Sequence, residues 1–263
     1  MGILNLSDDE KILAAKAEDY IRRAKDKGVA AFTDFLSDRE QAVVMQVAAQ
    51  MSASENTVVF GGYSDAERAV VGFFPDYCLY MERKELLSDF PLSVLCIKCS
   101  GFREHTHRDF LGSFMGLGIE RSVIGDIIPD EKGYSATVFV LSKISGYICE
   151  NLRLVGRDGV KVFPRDFEGL HIAKRKFADI SGTCASLRID ALISEILNVS
   201  REKASTLILD GSVSINHSEL SDKSKTVAQG DIITVRGFGK FRVFEIGDIN
   251  RKGRTRFTVQ KYI

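Results

Sequence analysis

The sequence predicts a mixed α+β fold made of three small domains. Three observations predict it. In the first fifty residues, apolar positions recur at helical spacing. Between 89 and 165, strand-like and helix-like runs alternate in the order β-α-β-β-α-β, a ferredoxin-like arrangement. From 187 onward, two helical stripes lead into short alternating strands and a basic hairpin. A length of 263 residues suggests about two domains and accommodates three small ones. The expected division is 1–88, 89–165, a connector at 166–186, and 187–263.

The elements follow in order. Residues 8–27 read as a helix. Asp8, Asp9 and Glu10 suit its positive end, Lys25 and Lys27 its negative end, and Gly28 can stop it. A second helix begins at Ser37, with Glu40 three residues on, a capping-box spacing. Val43, Val44, Val47, Ala48 and Met51 form its apolar stripe. VVFGGY and AVVGFF read as short strands. In the middle segment, LSVLCIK, RSVIGDIIP, YSATVFVL and GVKVF read as strands, with helices at HRDFLGSFMGLG and SKISGYICENL. At the C-terminal end, Leu187, Ala191, Leu192, Ile196 and Leu197 mark one helix. Ser200 caps another, REKASTLILD, before Gly211. SVSIN and DIITVR then alternate as strands. KFRVFEI and RFTVQKY form a hairpin about a turn near 250–253.

Composition excludes several classes. Hydrophobic residues are 44% and charged residues 27%, as in a folded globular protein rather than a disordered chain. No apolar run reaches the roughly 18 residues of a membrane span. The first residues lack a basic stretch followed by an apolar core, so a cytoplasmic protein without membrane attachment is expected. The five cysteines are scattered and do not suggest a disulfide framework. Cys96 and Cys99 have a suggestive spacing but lie in a strand without further ligands, so buried strand cysteines are expected.

The formal net charge of zero conceals an asymmetry. From Lys174 onward there are 16 Lys and Arg against 10 Asp and Glu. A basic end on a neutral chain points to a polyanion partner. The run Lys174–Lys176 reads as part of a solvated connector.

No catalytic constellation emerges. His107-Arg108-Asp109 imitates a kinase loop, but Phe114 stands where that loop needs Asn. His105 and His107 lack partners at metal-ligand spacing, so no metal and no cofactor are expected. Gly112 and Gly116 sit within or just after a helix, which suggests close backbone approach, to the sheet above all and otherwise to a ligand. Lys132, Gly133, Tyr134 and Phe139 partly follow the first signature of an RNA-recognition motif. Ala136 replaces a stacking aromatic, so a packed sheet is the favoured reading.

The basic end is more informative. Ser200, Arg201 and Lys203 open a helix whose free N–H groups suit an anion. Arg188 starts the helix before it, and Lys223, Ser224 and Lys225 lie in a following loop. Together they could form a phosphate-binding face. Arg236, Lys240, Arg251, Lys252 and Arg254 extend the basic character over the hairpin, where Phe238 and Phe241 are interleaved.

Two sets of stretches carry a family resemblance. LRIDALISEILNVSREKASTLILDGSVSIN and GDIITVR resemble the αL RNA-binding domain named after ribosomal protein S-four, through Arg188, Asp190, Ser200, Arg201, Ala204, Ile208, Gly211, Val213, Asn216, Gly230 and Asp231. His217 stands where that domain usually has Gly, and Ser205 and Thr206 where a basic residue is common. HRDFLGSFMGLGIERSVIGDI, YICENLRLVGRDGV and VRGFGKFRVFEIGDINRKGR resemble the YlmH family of bacterial RNA-binding proteins. The resemblance implies a non-catalytic protein of ribosome-associated quality control. Its implied partners are rRNA, tRNA, the large ribosomal subunit and other quality-control factors. It also implies a cell-division association, so a general RNA-binding or cell-division-linked factor is one alternative. An RNA-modifying enzyme, of the pseudouridine synthase or methyltransferase type, is the other, since αL domains are often joined to such enzymes. A monomer is expected, as no coiled-coil heptads occur.

Overall fold

The computed structural model describes residues 6–64, 66–168, 170, 172, 177–216, 218–220, 222–250 and 253–262. The chain divides into two compact units, Met1–Ile172 and Ala173–Ile263. Among the described residues there are seven α-helices and three sheets, a mixed α+β fold.

Helix α1 (Asp8–Lys27) is set at both ends by local chemistry. The Ser7 hydroxyl accepts from Glu10 N–H, and the Glu10 carboxylate accepts from Ser7 N–H. This capping box satisfies two otherwise orphaned groups. Gly28 ends the helix at φ +62°. After β1 (Ala31–Phe32), helix α2 (Asp38–Gln50) repeats the device with Ser37 and Glu40. Ala17, Ile21 and Ala24 share a buried cluster with Val44, Val47 and Ala48. A Glu10–Arg39 ion pair also joins the two helices. β2 (Thr57–Phe60) and β3 (Val70–Phe73) complete a three-stranded antiparallel sheet in the order β1-β3-β2. A short 3-10 turn and helix α3 (Arg83–Ser88) follow. β1 and α3 were not legible as elements, because two and six residues are too few for periodicity to show.

The same unit continues with β4 (Leu92–Cys99), α4 (His107–Gly116), β5 (Ile124–Pro129), β6 (Ser135–Leu141), α5 (Ser142–Asn151), β7 (Leu154–Val155) and β8 (Asp158–Arg165). The sheet order is β5-β6-β4-β8-β7, and each neighbouring pair is antiparallel. β6 therefore lies between β4 and β5, which run parallel to each other, as in a split βαβ unit. One sheet face places Leu95, Ile97, Val138 and Val140 in a cluster with Phe110 and Phe114 of α4 and Ile148 of α5. The other places Val94, Phe139 and Leu141 with Phe35, Val70, Phe74 and Phe90. The N-terminal segment thus shares a core with this sheet. Tyr63 stacks on Phe139 at 5.0 Å between ring centroids. Gly62, at φ +100°, fits there because a Cβ would lie 2.2 Å from Phe139 Cδ1. Phe139 is a core residue, so the aromatic that partly matched an RNA-recognition signature is packed away.

Two expectations in this unit change. Arg121–Val123 form a 3-10 turn, so the strand expected from Arg121 begins only at Ile124. Gly112 and Gly116 do not mark close approach to the sheet: a Cβ at either would meet nothing within 4 Å. The helix turns those positions away from the sheet, and Phe110 and Phe114 supply its buried contacts. His105 is buried, with Nε2 2.9 Å from Asp158 Oδ2. Cys96 is buried and Cys99 half-buried in β4; three residues apart on a strand, they point to opposite faces.

The second unit contains β9 (Phe177–Cys184), α6 (Ile189–Leu197), α7 (Arg201–Leu209), β10 (Val213–Ile215), β11 (Ser218–Glu219), β12 (Ile232–Val235), β13 (Gly239–Ile249) and β14 (Thr255–Tyr262). They make one antiparallel sheet in the order β11-β10-β12-β13-β14-β9. Ile189, Leu192, Ile193, Ala204 and Ile208 of the helices pack with Val213, Ile233, Phe241 and Val259 of the sheet. The expected connector is in part a strand: β9 pairs with β14 from Phe177–Tyr262 to Cys184–Thr255. FADISGTC has little alternation of its own, and its pairing comes from a strand some eighty residues away. The hairpin is likewise no appendage, since β13 and β14 are interior strands of this sheet. Lys174–Lys176 lie outside the described residues.

Candidate nucleic-acid interface

The site is built around one buried carboxylate. Asp190 lies in the first turn of α6, with its side chain only 6% exposed. Oδ1 accepts from Ala191 N–H at 2.9 Å and Arg188 Nε at 3.1 Å; Oδ2 accepts from Arg188 Nη2 at 3.2 Å. Arg201, at the start of α7, donates from Nη2 to Oδ2 at 3.0 Å. Burial alone would raise the Asp190 pKa, but the Arg188 hydrogen bonds and the Arg201 and Arg188 charges outweigh it and hold it below the ordinary value. Two guanidiniums that would repel each other are thereby held side by side while remaining half-exposed.

A second segment is brought against this pair by backbone pairing. Ile189 N–H donates to Lys225 C=O and Val227 N–H to Leu187 C=O, and Arg188 forms an isolated bridge with Thr226. This places the exposed Lys223-Ser224-Lys225 loop beside Arg188. Within it Asp222 accepts from the Ser224 hydroxyl and N–H. Those bonds, with the Arg188 and Lys225 charges, lower the Asp222 pKa. Ser200 caps α7, its hydroxyl accepting from Lys203 N–H at 3.1 Å. Arg201 and Lys203 are exposed in the first turn, where the helix dipole favours an anion. So Arg188, Ser200, Arg201, Lys203, Lys223, Ser224 and Lys225 gather around two neighbouring helix starts and one loop.

The other candidates lie elsewhere. Arg236 follows β12 and, with Lys203, acts electrostatically on Asp210, whose pKa is lowered first by the Ser212 hydroxyl. Lys240 sits over the Tyr262 ring at 5.2 Å. Arg254 donates to Thr183 C=O, to Thr183 Oγ1 at 3.0 Å and to Glu195 Oε1 at 2.6 Å, bracing β14 against β9 and α6. Arg251 and Lys252 lie outside the described residues. Phe241 is buried in the core, whereas Phe238 is 40% exposed.

Asp190 and Asp222 were missed as organisers of the site. An available signal was Arg-x-Asp at 188–190 with a second Arg eleven residues on. Asn216 has a structural part too. At φ +47° it turns β10 into β11, and its side chain bonds Asp231 Oδ1 and Ile232 N–H. Among the described residues there is no cluster of His, Cys, Asp and Glu that could hold a metal ion, and no helix long and apolar enough to cross a membrane.

Two consecutive helices with cations clustered at their starts, packed on an antiparallel sheet, define an RNA-binding protein of the S4 class. Residues 187–233 match the S4 domain family, and residues 86–169 match the family described as "Putative RNA-binding domain in YlmH". A Bacillus subtilis (strain 168) relative, "Ribosome-associated protein quality control protein P2", is 30% identical over 254 residues, 96% of this chain and 95% of the relative. The chain belongs to the YlmH family. The fold is similar to that of the solved "Cell division protein ylmH from Streptococcus pneumoniae", with a TM-score of 0.51 at 21% identity, over 64% of this chain and 97% of that one.

Proposed function

We propose that this chain is a non-catalytic, cytoplasmic RNA-binding protein of ribosome-associated quality control, acting as a monomer. It binds structured rRNA, with tRNA, on large ribosomal subunits that retain peptidyl-tRNA after stalling. The observation that carries the reading is the Arg188–Asp190–Arg201 cluster beside the Lys223–Lys225 loop. Its cations are fixed in position yet open to solvent, as phosphate recognition requires. Arg236 and Lys240 extend the contact across the sheet, and Arg251 and Lys252 are taken as further RNA contacts. Arg254 supports it from within the fold. The name of the Bacillus subtilis relative supports the ribosomal setting. The three segments 1–88, 89–165 and 187–263 are taken as its functional parts, the first two sharing one compact unit.

The test is co-sedimentation with large subunits, with and without peptidyl-tRNA, at two salt concentrations. An Arg201→Gln, Lys203→Glu double variant is the perturbation. Gln at 201 avoids placing a second carboxylate against Asp190. The expected result is salt-sensitive binding that prefers the tRNA-carrying subunit and is lost in the folded variant. Each phosphate contact removed should also reduce the slope of log affinity against log salt by about 0.7–0.9. Unchanged pelleting of the folded variant would refute the footprint. Equal binding of the wild-type protein to every particle would refute the quality-control assignment.

A further inference from the structure

The first unit has a basic and aromatic patch that the cluster around Asp190 does not use. It lies on the face of the central sheet opposite α4 and α5. Strand pairing arranges this face in rows. Phe139 and Arg165 flank Val94, Thr137 and Phe163 flank Cys96, and Ser135 and Lys161 flank Lys98. Val94 and Phe139 are covered by the N-terminal segment. Beyond them the face opens, and Lys98, Lys161, Phe163 and Arg165 are exposed. The Lys98 ammonium stands 5.4 Å from the Phe163 ring centroid, and Phe163 remains 38% exposed. Along β8 the outward residues read Lys161, Phe163, Arg165, so a cation stands on each side of the ring, about 7 Å away along the strand. None of these rows holds a carboxylate. Asp130 accepts from the Ser135 hydroxyl at 3.0 Å in the row farthest from Arg165, and Asp166 and Glu168 follow the end of the strand. At the Lys98 end, the loops leaving β4 and entering β6 expose Phe102 and Tyr134.

We propose that this patch binds single-stranded RNA, with a base stacked on Phe163 and flanking phosphates on Lys98, Lys161 and Arg165. Cations interleaved with an exposed ring suit a strand of bases and phosphates. A protein strand adding to the edge fits less well. β7 pairs with β8 only at Asp158 and Gly159, leaving 161–165 at the sheet edge, but Pro164 there has no N–H to donate. The proposal rests on the RNA-binding reading of the chain and adds a surface on the other unit. It places stacking on an edge strand, since the central strands β4 and β6 offer Cys96, Lys98, Ser135 and Thr137 on the open rows and no aromatic.

The experiment uses the full chain and a fluorescein-labelled ten-nucleotide oligouridylate, with anisotropy read at two salt concentrations. Phe163→Leu removes the ring and keeps an apolar side chain; Phe163→Tyr keeps the ring. Lys161→Glu tests the charge separately at an exposed position. Circular dichroism and thermal midpoint verify the fold of each. The expected result is affinity about tenfold lower for Phe163→Leu, one base stack's worth. Phe163→Tyr should bind within twofold of the wild-type protein, and Lys161→Glu should bind more weakly with a shallower salt slope. Wild-type protein that fails to bind the oligonucleotide overturns the proposal. So does wild-type affinity in both Phe163→Leu and Lys161→Glu. If only Arg201→Gln, Lys203→Glu abolishes oligonucleotide binding, the single strand lies on the S4 domain and the patch is refuted, while the proposed footprint stands. If Phe163→Leu weakens the oligonucleotide and Arg201→Gln, Lys203→Glu leaves large-subunit pelleting intact, the patch stands and that footprint fails.

Discussion

Asp190→Asn keeps the shape of the side chain that organises the basic cluster and removes its charge. Four hydrogen bonds of 2.9–3.2 Å converge on the native carboxylate. Breaking a buried ion pair costs about 3–5 kcal/mol when the remaining charge stays buried. Here the remaining charges are Arg188 and Arg201, with side chains 40% and 56% exposed. They rehydrate once released, so the cost should fall toward the ~0–1 kcal/mol of a surface pair. A loss of about 2 kcal/mol at neutral pH lies between these limits. Asp190 has a folded pKa below its ordinary value of 3.8. Its contribution is therefore complete above 3.8 and lost as the pH falls through the depressed folded value. Asparagine does not titrate, so the difference between the two proteins should close over that acid range.

Hydrogen exchange read on peptides from α6 and α7 is the suitable assay, because two compact units need not unfold together. Faster exchange at pH 7 and a narrowing gap on acidification are expected, after correction for the intrinsic pH dependence of exchange. Large-subunit affinity should also fall roughly tenfold, since ordering two loosened arginines on binding costs about 0.5–1.5 kcal/mol each. Exchange within about 0.5 kcal/mol of wild type, with unchanged affinity, would show that Asp190 does not organise the arginines.

Three further predictions concern the first unit. Glu10 has its pKa lowered from 4.5 to about 2, first by its Arg39 hydrogen bond and then by the Ser7 N–H. Its stabilisation is present above 4.5 and lost as the pH falls through about 2, so Glu10→Gln should be less stable at pH 7 in urea, by a margin that shrinks by pH 3; a constant margin would contradict this. Gly62→Ala places a Cβ 2.2 Å from Phe139 Cδ1 at φ +100°, and overpacking with backbone strain should cost about 3 kcal/mol. A thermal midpoint equal to wild type would show that the Tyr63–Phe139 contact yields easily. Gly112→Ala meets nothing within 4 Å and should gain up to about 1 kcal/mol of helix stability; a lower midpoint would reveal a backbone requirement there.

Much of the helical structure was legible because its determinants are local. Ser7 with Glu10, Ser37 with Glu40, and Gly28 set helix ends through neighbours three or four residues away. The candidate cations Arg188, Arg201 and Lys203 and the cap Ser200 were legible for the same reason, as they lie at two consecutive helix starts. Gly112 and Gly116 misled because composition alone cannot say which side of a helix faces a neighbour. Arg254 reads in sequence like the other hairpin cations. Its commitment to Thr183 and Glu195 depends on residues 71 and 59 positions away.

The sequence by itself determined the mixed α+β class, the βαββαβ order, the capped helices and the family, since periodicity, capping and motif are written in short stretches. Only the tertiary structure decided that the first two segments share a core through Phe35, Val94 and Phe139. Only it made part of the expected connector into β9. Only it set one buried carboxylate between two arginines. The physical reason is common to all three. Strand pairing, burial and charge pairing depend on partners distant in sequence, which the fold must first bring together.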